Sequence, residues 1–173
     1  MRTIEFAPTL LGFSTEPAEE LARRIARLAP PGLTRILFTS GGSEANESVI
    51  RLVRLYWRLK GQPDKFRIVA LNRAYHGSST GAASLTGLPY FHEHYEPLLP
   101  GVLRLPRPFC YRCELGRTHP SCGLACADEL EALLRREGPG KIGAFLMEPV
   151  QGVGGVVAFD LAGAEDNFPE IGR

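Results

Sequence analysis

Apolar residues along the chain fall into stretches of helical spacing and short continuous runs, in alternation. Leu21, Ile25 and Leu28 share one helical face, opened by Thr15 as an N-cap with Glu16-Pro17 behind it and closed by Pro30-Pro31. Residues 34–39, Thr-Arg-Ile-Leu-Phe-Thr, form a run of the length of a buried strand. The run breaks on Ser40-Gly41-Gly42-Ser43. A broad stripe of Val49, Ile50, Leu52, Val53, Tyr56, Trp57 and Leu59 follows, predicting a helix of about 16 residues that stops near Gly61. A second strand is expected at 66–71. The small residues at 78–84 predict a short, closely packed helix. Leu130, Leu133 and Leu134 mark a helix at 127–136 that ends on Gly138-Pro139-Gly140. Residues 142–147 are a third apolar run, cut off by Glu148-Pro149, and 165–171 begin another helical pattern. Between them, 88–122 is rich in proline and aromatics with little periodicity. With the cysteines that follow, 88–126 is expected to be an irregular excursion. Strands alternating with helices, without internal repeats, predict an α/β fold with a mainly parallel sheet and flanking helices.

Composition narrows the function classes. The 173 residues are 44% hydrophobic, enough for a real core and for one domain or most of one. Twenty basic against nineteen acidic residues give no electrostatic case for nucleic acid. No uninterrupted apolar stretch of about 18 residues exists to span a membrane. The N-terminus lacks the apolar core of a signal peptide. A cytoplasmic location with reduced cysteines is therefore expected.

Three places carry candidate chemistry. Ser40-Gly41-Gly42-Ser43 joins a predicted strand to a predicted helix, where backbone N–H groups and the helix dipole favour an anion. The glycines admit close backbone approach, and Ser43 adds a hydroxyl. It is neither a P-loop, having no Gly-Lys-Ser/Thr, nor a nucleophile elbow. Tyr75-His76-Gly77 follows the second predicted strand, and an aromatic there can stack on a planar ring. Glu148-Pro149-Val150-Gln151-Gly152 follows the third. Singly, each admits a plain structural reading: a tight turn, a packed tyrosine beside a solvated histidine, a helix cap. Jointly they bring three sets of groups to one expected sheet edge, where α/β proteins bind ligands.

These stretches, Phe38-Thr39-Ser40-Gly41-Gly42-Ser43-Glu44-Ala45-Asn46-Glu47 with Tyr75-His76-Gly77 and Glu148-Pro149-Val150-Gln151-Gly152, resemble class III aminotransferases. Those are fold type I enzymes using pyridoxal 5′-phosphate. The resemblance runs from about residue 19 onward and extends to Asp166-Asn167-Phe168-Pro169-Glu170-Ile171. It implies that residues 1–173 are part of the large, cofactor-binding domain, with the family's N-terminal segment and C-terminal small domain absent. It implies a cofactor phosphate held by Gly41, Gly42 and Ser43, Tyr75 stacked on the pyridine ring, and His76 shaping that side. Glu148 would gate the substrate carboxylate, as a matching glutamate does in several members by pairing with an arginine. The implied reaction moves an amino group from an amine or ω-amino acid to a keto acid, in a homodimer when the protein is full length.

The resemblance also implies a lysine for the Schiff base and an aspartate at the ring nitrogen, both of which the family places beyond the third strand. The chain's lysines are Lys60, Lys65 and Lys141, at expected strand starts or on the outer surface. The chain is thus expected to be a fragment without turnover. An aminomutase or decarboxylase of the same family is an alternative. Another is a non-catalytic module held by zinc, since Cys110, Cys113, Cys122 and Cys126 form two close pairs, with His119 between them. Plain thiols in a loop are the other reading of those four. His92 and His94 alternate along an extended stretch and are expected on a solvated face.

Overall fold

The computed structural model describes residues 14–158. They divide into two units that meet at residues 39 and 40. The helix expected at 165–171 lies outside the described residues.

In the first unit, helix α1 spans Glu16–Leu28, with the Thr15 hydroxyl accepting the Ala18 N–H at 3.4 Å and Pro17 in the first turn. Glu20 pairs with Arg23 and Arg24 along its exposed side. The chain then turns at Gly32. Residues 34–39 form no strand, contrary to the sequence expectation. A strand exists through its ladder, and 34–39 joins neither of the two sheets. Leu37 remains 65% exposed, so apolar composition alone did not place this run in a core.

The second unit is built on a three-stranded parallel sheet of order β2-β1-β3, comprising β1 (Arg67–Leu71), β2 (Val102–Leu105) and β3 (Ile142–Leu146). β1 is central, and the apolar run that follows Arg67 is buried on both faces. Its side chains alternate between two cores. Val69 and Leu71 pack with Leu105, Leu130 and Leu133, placing α4 (Ala125–Glu137) on one face. Ile68 packs with Ile50 and Leu85, placing α2 (Gly42–Leu59) and α3 (Thr80–Leu85) on the other. Trp57 of α2 donates its indole N–H to the Gly143 carbonyl at 2.8 Å. Gly143 has no room for a side chain, because a Cβ would lie 2.7 Å from Val53 and from the Lys65 carbonyl. An antiparallel pair, β4 (Val150–Gln151) and β5 (Val157–Ala158), follows β3.

β2 corrects a second expectation, since it lies inside the stretch read as an irregular excursion. Its four residues pair in register with β1, Val69 opposite Leu103. Arg104 interrupts the apolar pattern there, and the structure gives its guanidinium carbonyl partners at the carboxyl end of α3 and on Thr86 just past it.

Candidate functional site

Parallel strands send all their carboxyl ends to one edge of the sheet. The segments after β1 and β3 meet there. The backbone N–H of Tyr75 donates to Oε2 of Glu148 at 2.9 Å, joining two residues 73 positions apart. Gln151 is fully buried and donates from Nε2 to the Asn72 carbonyl at 3.1 Å, which fastens the β4–β5 hairpin beside them. The Tyr75 ring lies 5.3 Å from that of Phe91 in a tilted contact, which orients it.

The amino end of α2 reaches the same place. Asn46 donates from Nδ2 to the His76 carbonyl at 2.6 Å, and the Ser43 hydroxyl accepts the Ser78 N–H at 3.1 Å. Gly77 fits between them only because it lacks a side chain. At φ +124°, a Cβ there would fall 2.5 Å from Ser43 Oγ. On the other side of the turn, the Glu44 carboxylate accepts the Ser40 N–H at 2.7 Å, which holds Glu44 below the usual carboxylate range. Strand-carried groups at this edge thus come from β1 and β3, and the third set comes from a helix terminus.

Whether this edge suits a phosphorylated ring can be tested on geometry. The N-cap of α2 is Gly41, which has no side chain to offer, and a Cβ built on Gly41 or Gly42 meets nothing within 4 Å. The two glycines therefore leave steric room at the amino end of α2, with the Ser43 hydroxyl beside it. The residues present fit the phosphate end of such a group.

The His76 side chain is buried behind that edge. It is 6% exposed, and burial together with the nearby Arg104 charge pushes its pKa down to about 4. It is neutral at pH 7, and what it offers the site is main chain: its N–H donates to Thr86 Oγ1 at 2.9 Å while its carbonyl accepts from Asn46. Thr86 and Arg104 were not singled out in the sequence, and Asn46 and Glu47 stood there only as part of a stretch, without a role. The signal available for Asn46 and Glu47 was polarity within the amino-terminal turns of an otherwise striped helix.

The three lysines stand at the far ends of their elements. Lys65 and Lys141 precede β1 and β3, and Lys60 follows α2. Lys65 lies over the Trp57 ring at 3.7 Å. None is at the carboxyl edge. The cysteines are free thiols, with Cys110 exposed and the other three partly covered. Among the described residues, no group of three or more His, Cys, Asp or Glu side chains is arranged to hold a metal. No helix among them is long and apolar enough to cross a membrane.

A mainly parallel α/β sheet with a helix terminus, an aromatic and a carboxylate at its carboxyl edge matches part of a pyridoxal-phosphate-dependent transferase domain. The sequence model of the family Aminotransferase class-III matches residues 7–163, and the chain belongs to that family. It is 40% identical over 151 residues to an adenosylmethionine-8-amino-7-oxononanoate aminotransferase of Geobacter sulfurreducens, covering 86% of this chain and 33% of that protein. A thermostable (S)-enantioselective omega-transaminase from Thermomicrobium roseum superposes with a TM-score of 0.86 at 41% identity, over 95% of this chain and 38% of that one. An amine transaminase from an uncultivated Pseudomonas species, in its PLP-bound form, superposes with a TM-score of 0.85 at 31% identity, over 96% of this chain and 38% of its own. The chain spans about a third of the length of the curated relatives it matches.

Proposed function

We propose that these residues form the phosphate- and ring-holding part of an aminotransferase that uses pyridoxal 5′-phosphate. The whole protein would transfer an amino group from an amine or ω-amino acid to a keto acid. The observation that carries the reading is the meeting of Ser43, Ser78, Tyr75 and Glu148 at one sheet edge. When bound, the cofactor supplies an electron sink for the substrate's reacting carbon. The chain's own residues bind and orient. Gly42 and Ser43 offer amide and hydroxyl donors to the phosphate, Gly41 leaves the approach open, and Tyr75 presents its ring to the pyridine face. His76 fixes the loop that carries Tyr75. Glu148 holds the Tyr75 amide and stands where a substrate carboxylate would be admitted.

Lys60, Lys65 and Lys141 stand away from that edge, so none of them is assigned the Schiff-base role. A homodimer is proposed for the whole protein. Leu52, Leu55, Tyr56 and Leu59 leave one face of α2 between 51% and 78% exposed, a surface that needs cover.

The test is to titrate the 173-residue chain with pyridoxal 5′-phosphate and to assay it with an amine and pyruvate. A saturable absorbance change that Ser43→Ala weakens is expected, with no sustained formation of alanine. Sustained turnover would overturn the placement of the reactive lysine elsewhere. Absence of any cofactor spectrum at millimolar ligand would remove the cradle itself.

A further inference from the structure

α3 has six residues, too few to hold a helix together in water. It is gripped at both ends. At its amino end, the Glu47 carboxylate from α2 accepts from Ser79 Oγ at 2.7 Å, from the Gly81 N–H at 2.8 Å and from the Ala82 N–H at 3.2 Å. At its carboxyl end, the Arg104 guanidinium from β2 donates to the carbonyls of Ser84 at 2.5 Å, Thr86 at 2.7 Å and Leu85. A carboxylate at the amino end and a cation at the carboxyl end both complement the helix dipole, and bonds to ionised groups are the strong kind. Gly81 is shaped to this grip, since a Cβ there would strike the Glu47 carboxylate. The bond from Ser79, followed by those from Gly81 and Ala82, keeps Glu47 ionised below the usual carboxylate range.

α3 in turn sets the loop before it. Thr86 Oγ1 accepts the His76 N–H and donates to the Gly77 carbonyl, each at 2.9 Å. Ala82 walls Gly77, its Cβ standing 2.9 Å from where a Gly77 Cβ would be. The loop is thereby pressed against Ser43.

We propose that Glu47 and Arg104 are positioning residues for the phosphate cradle, gripping α3 at both ends so that Gly77 and Ser78 are held at a fixed height over Ser43. The inference rests on the cofactor reading above. Neither side chain would touch the cofactor, so the expected signature is a loss confined to the phosphate.

The test compares Glu47→Gln, Ser79→Ala and Arg104→Lys in the full chain, with Ser43→Ala as the control on the cradle itself. Each is titrated with pyridoxal 5′-phosphate and with pyridoxal, which lacks the phosphate, and amide hydrogen exchange at Ser78 is followed without ligand. Glu47→Gln is expected to weaken the phosphorylated probe about tenfold and to speed Ser78 exchange by a similar factor, while pyridoxal changes by less than about twofold. Ser79→Ala and Arg104→Lys should show about a threefold loss with the same selectivity. Equal losses for both probes would mean a general structural role and would overturn the proposal. If Glu47→Gln does not fold, an unchanged ratio of the two affinities in the milder variants overturns it as well. Loss in Ser43→Ala with none in the other variants removes the grip and leaves the cofactor reading standing. No loss in Ser43→Ala removes the cofactor reading, and Ser78 exchange in Glu47→Gln then decides the grip alone.

Discussion

Two loops leave neighbouring strands at the same edge of the sheet and are treated differently. After β1, the amides of Tyr75, His76 and Ser78 are each taken by a side chain from a different part of the fold: Glu148, Thr86 and Ser43. Asn46 holds the His76 carbonyl as well. After β2, the chain runs through three thiols, a fourth following in the first turn of α4, and through Tyr111, which is 81% exposed. Its ties to the rest are Asn72 to Glu114 at 2.8 Å and Arg107 to the Gly154 carbonyl at 2.6 Å. The loop richer in reactive side chains is the less fixed of the two. A binding edge depends on backbone held in place before the ligand arrives, and reactive groups on a loosely tied segment do not supply that.

The sharpest way to break this contrast is Gly77→Ala. The substitution places a methyl group 2.5 Å from Ser43 Oγ at a φ of +124°, so both the backbone and the α2 contact are strained. We expect about 2–4 kcal/mol less stability and about a hundredfold loss of affinity for pyridoxal phosphate, read by thermal unfolding and titration. If both survive, close approach is not what sets the loop.

Next in size is a pH effect at His76. Its folded pKa, about 4, lies below the ordinary value of 6.5, so between those values the unfolded chain binds more protons than the folded one. Stability from this residue is complete above about pH 6.5 and is lost as pH falls towards 4, by at most about 3 kcal/mol. Unfolding midpoints measured across that window should fall with acidity. His76→Gln should flatten that part of the slope, and an unchanged slope would mean the ring is not buried neutral.

The difference between the loops was only half legible in the sequence. β1, β3 and three of the four helices follow from apolar spacing and from Gly, Pro and Thr punctuation. The small residues at 78–84 also foretold a packed α3, for five of its six residues are buried. Residues 34–39 misled because they have a strand's composition yet join neither sheet among the described residues. β2 was hidden by brevity and by Arg104, whose burial makes sense only once α3 supplies carbonyls for it. The site shows the same limit. Ser43 and Tyr75 could be named from local motifs, while Glu47 gains its role from Ser79, 32 positions away. His76 was noticed for its side chain and is used through its main chain.

A smaller effect sharpens the tied loop. Glu148→Ala leaves the partly buried Tyr75 N–H without its acceptor, an expected loss of about 1–2 kcal/mol in stability. Glu148→Gln keeps an acceptor oxygen and should recover most of it. Equal losses in the two variants would mean that charge, rather than the hydrogen bond to Tyr75, is what the fold uses.

The least effect is expected in the other loop. Replacing Cys110, Cys113, Cys122 and Cys126 together by serine removes every thiol in the chain. Burial, aided by the neighbouring cysteines, raises the Cys126 pKa, so it stays a protonated thiol and a poor ligand or nucleophile. Cys110 is exposed and makes no packed contribution to lose. The four-serine variant should therefore unfold within about 1 kcal/mol of the parent and bind pyridoxal phosphate as the parent does. A chelator should leave the parent's unfolding midpoint unchanged. A chelator-sensitive midpoint that the four-serine variant abolishes would show the thiols gathering around a metal, and the loop after β2 would then be as firmly tied as the loop after β1.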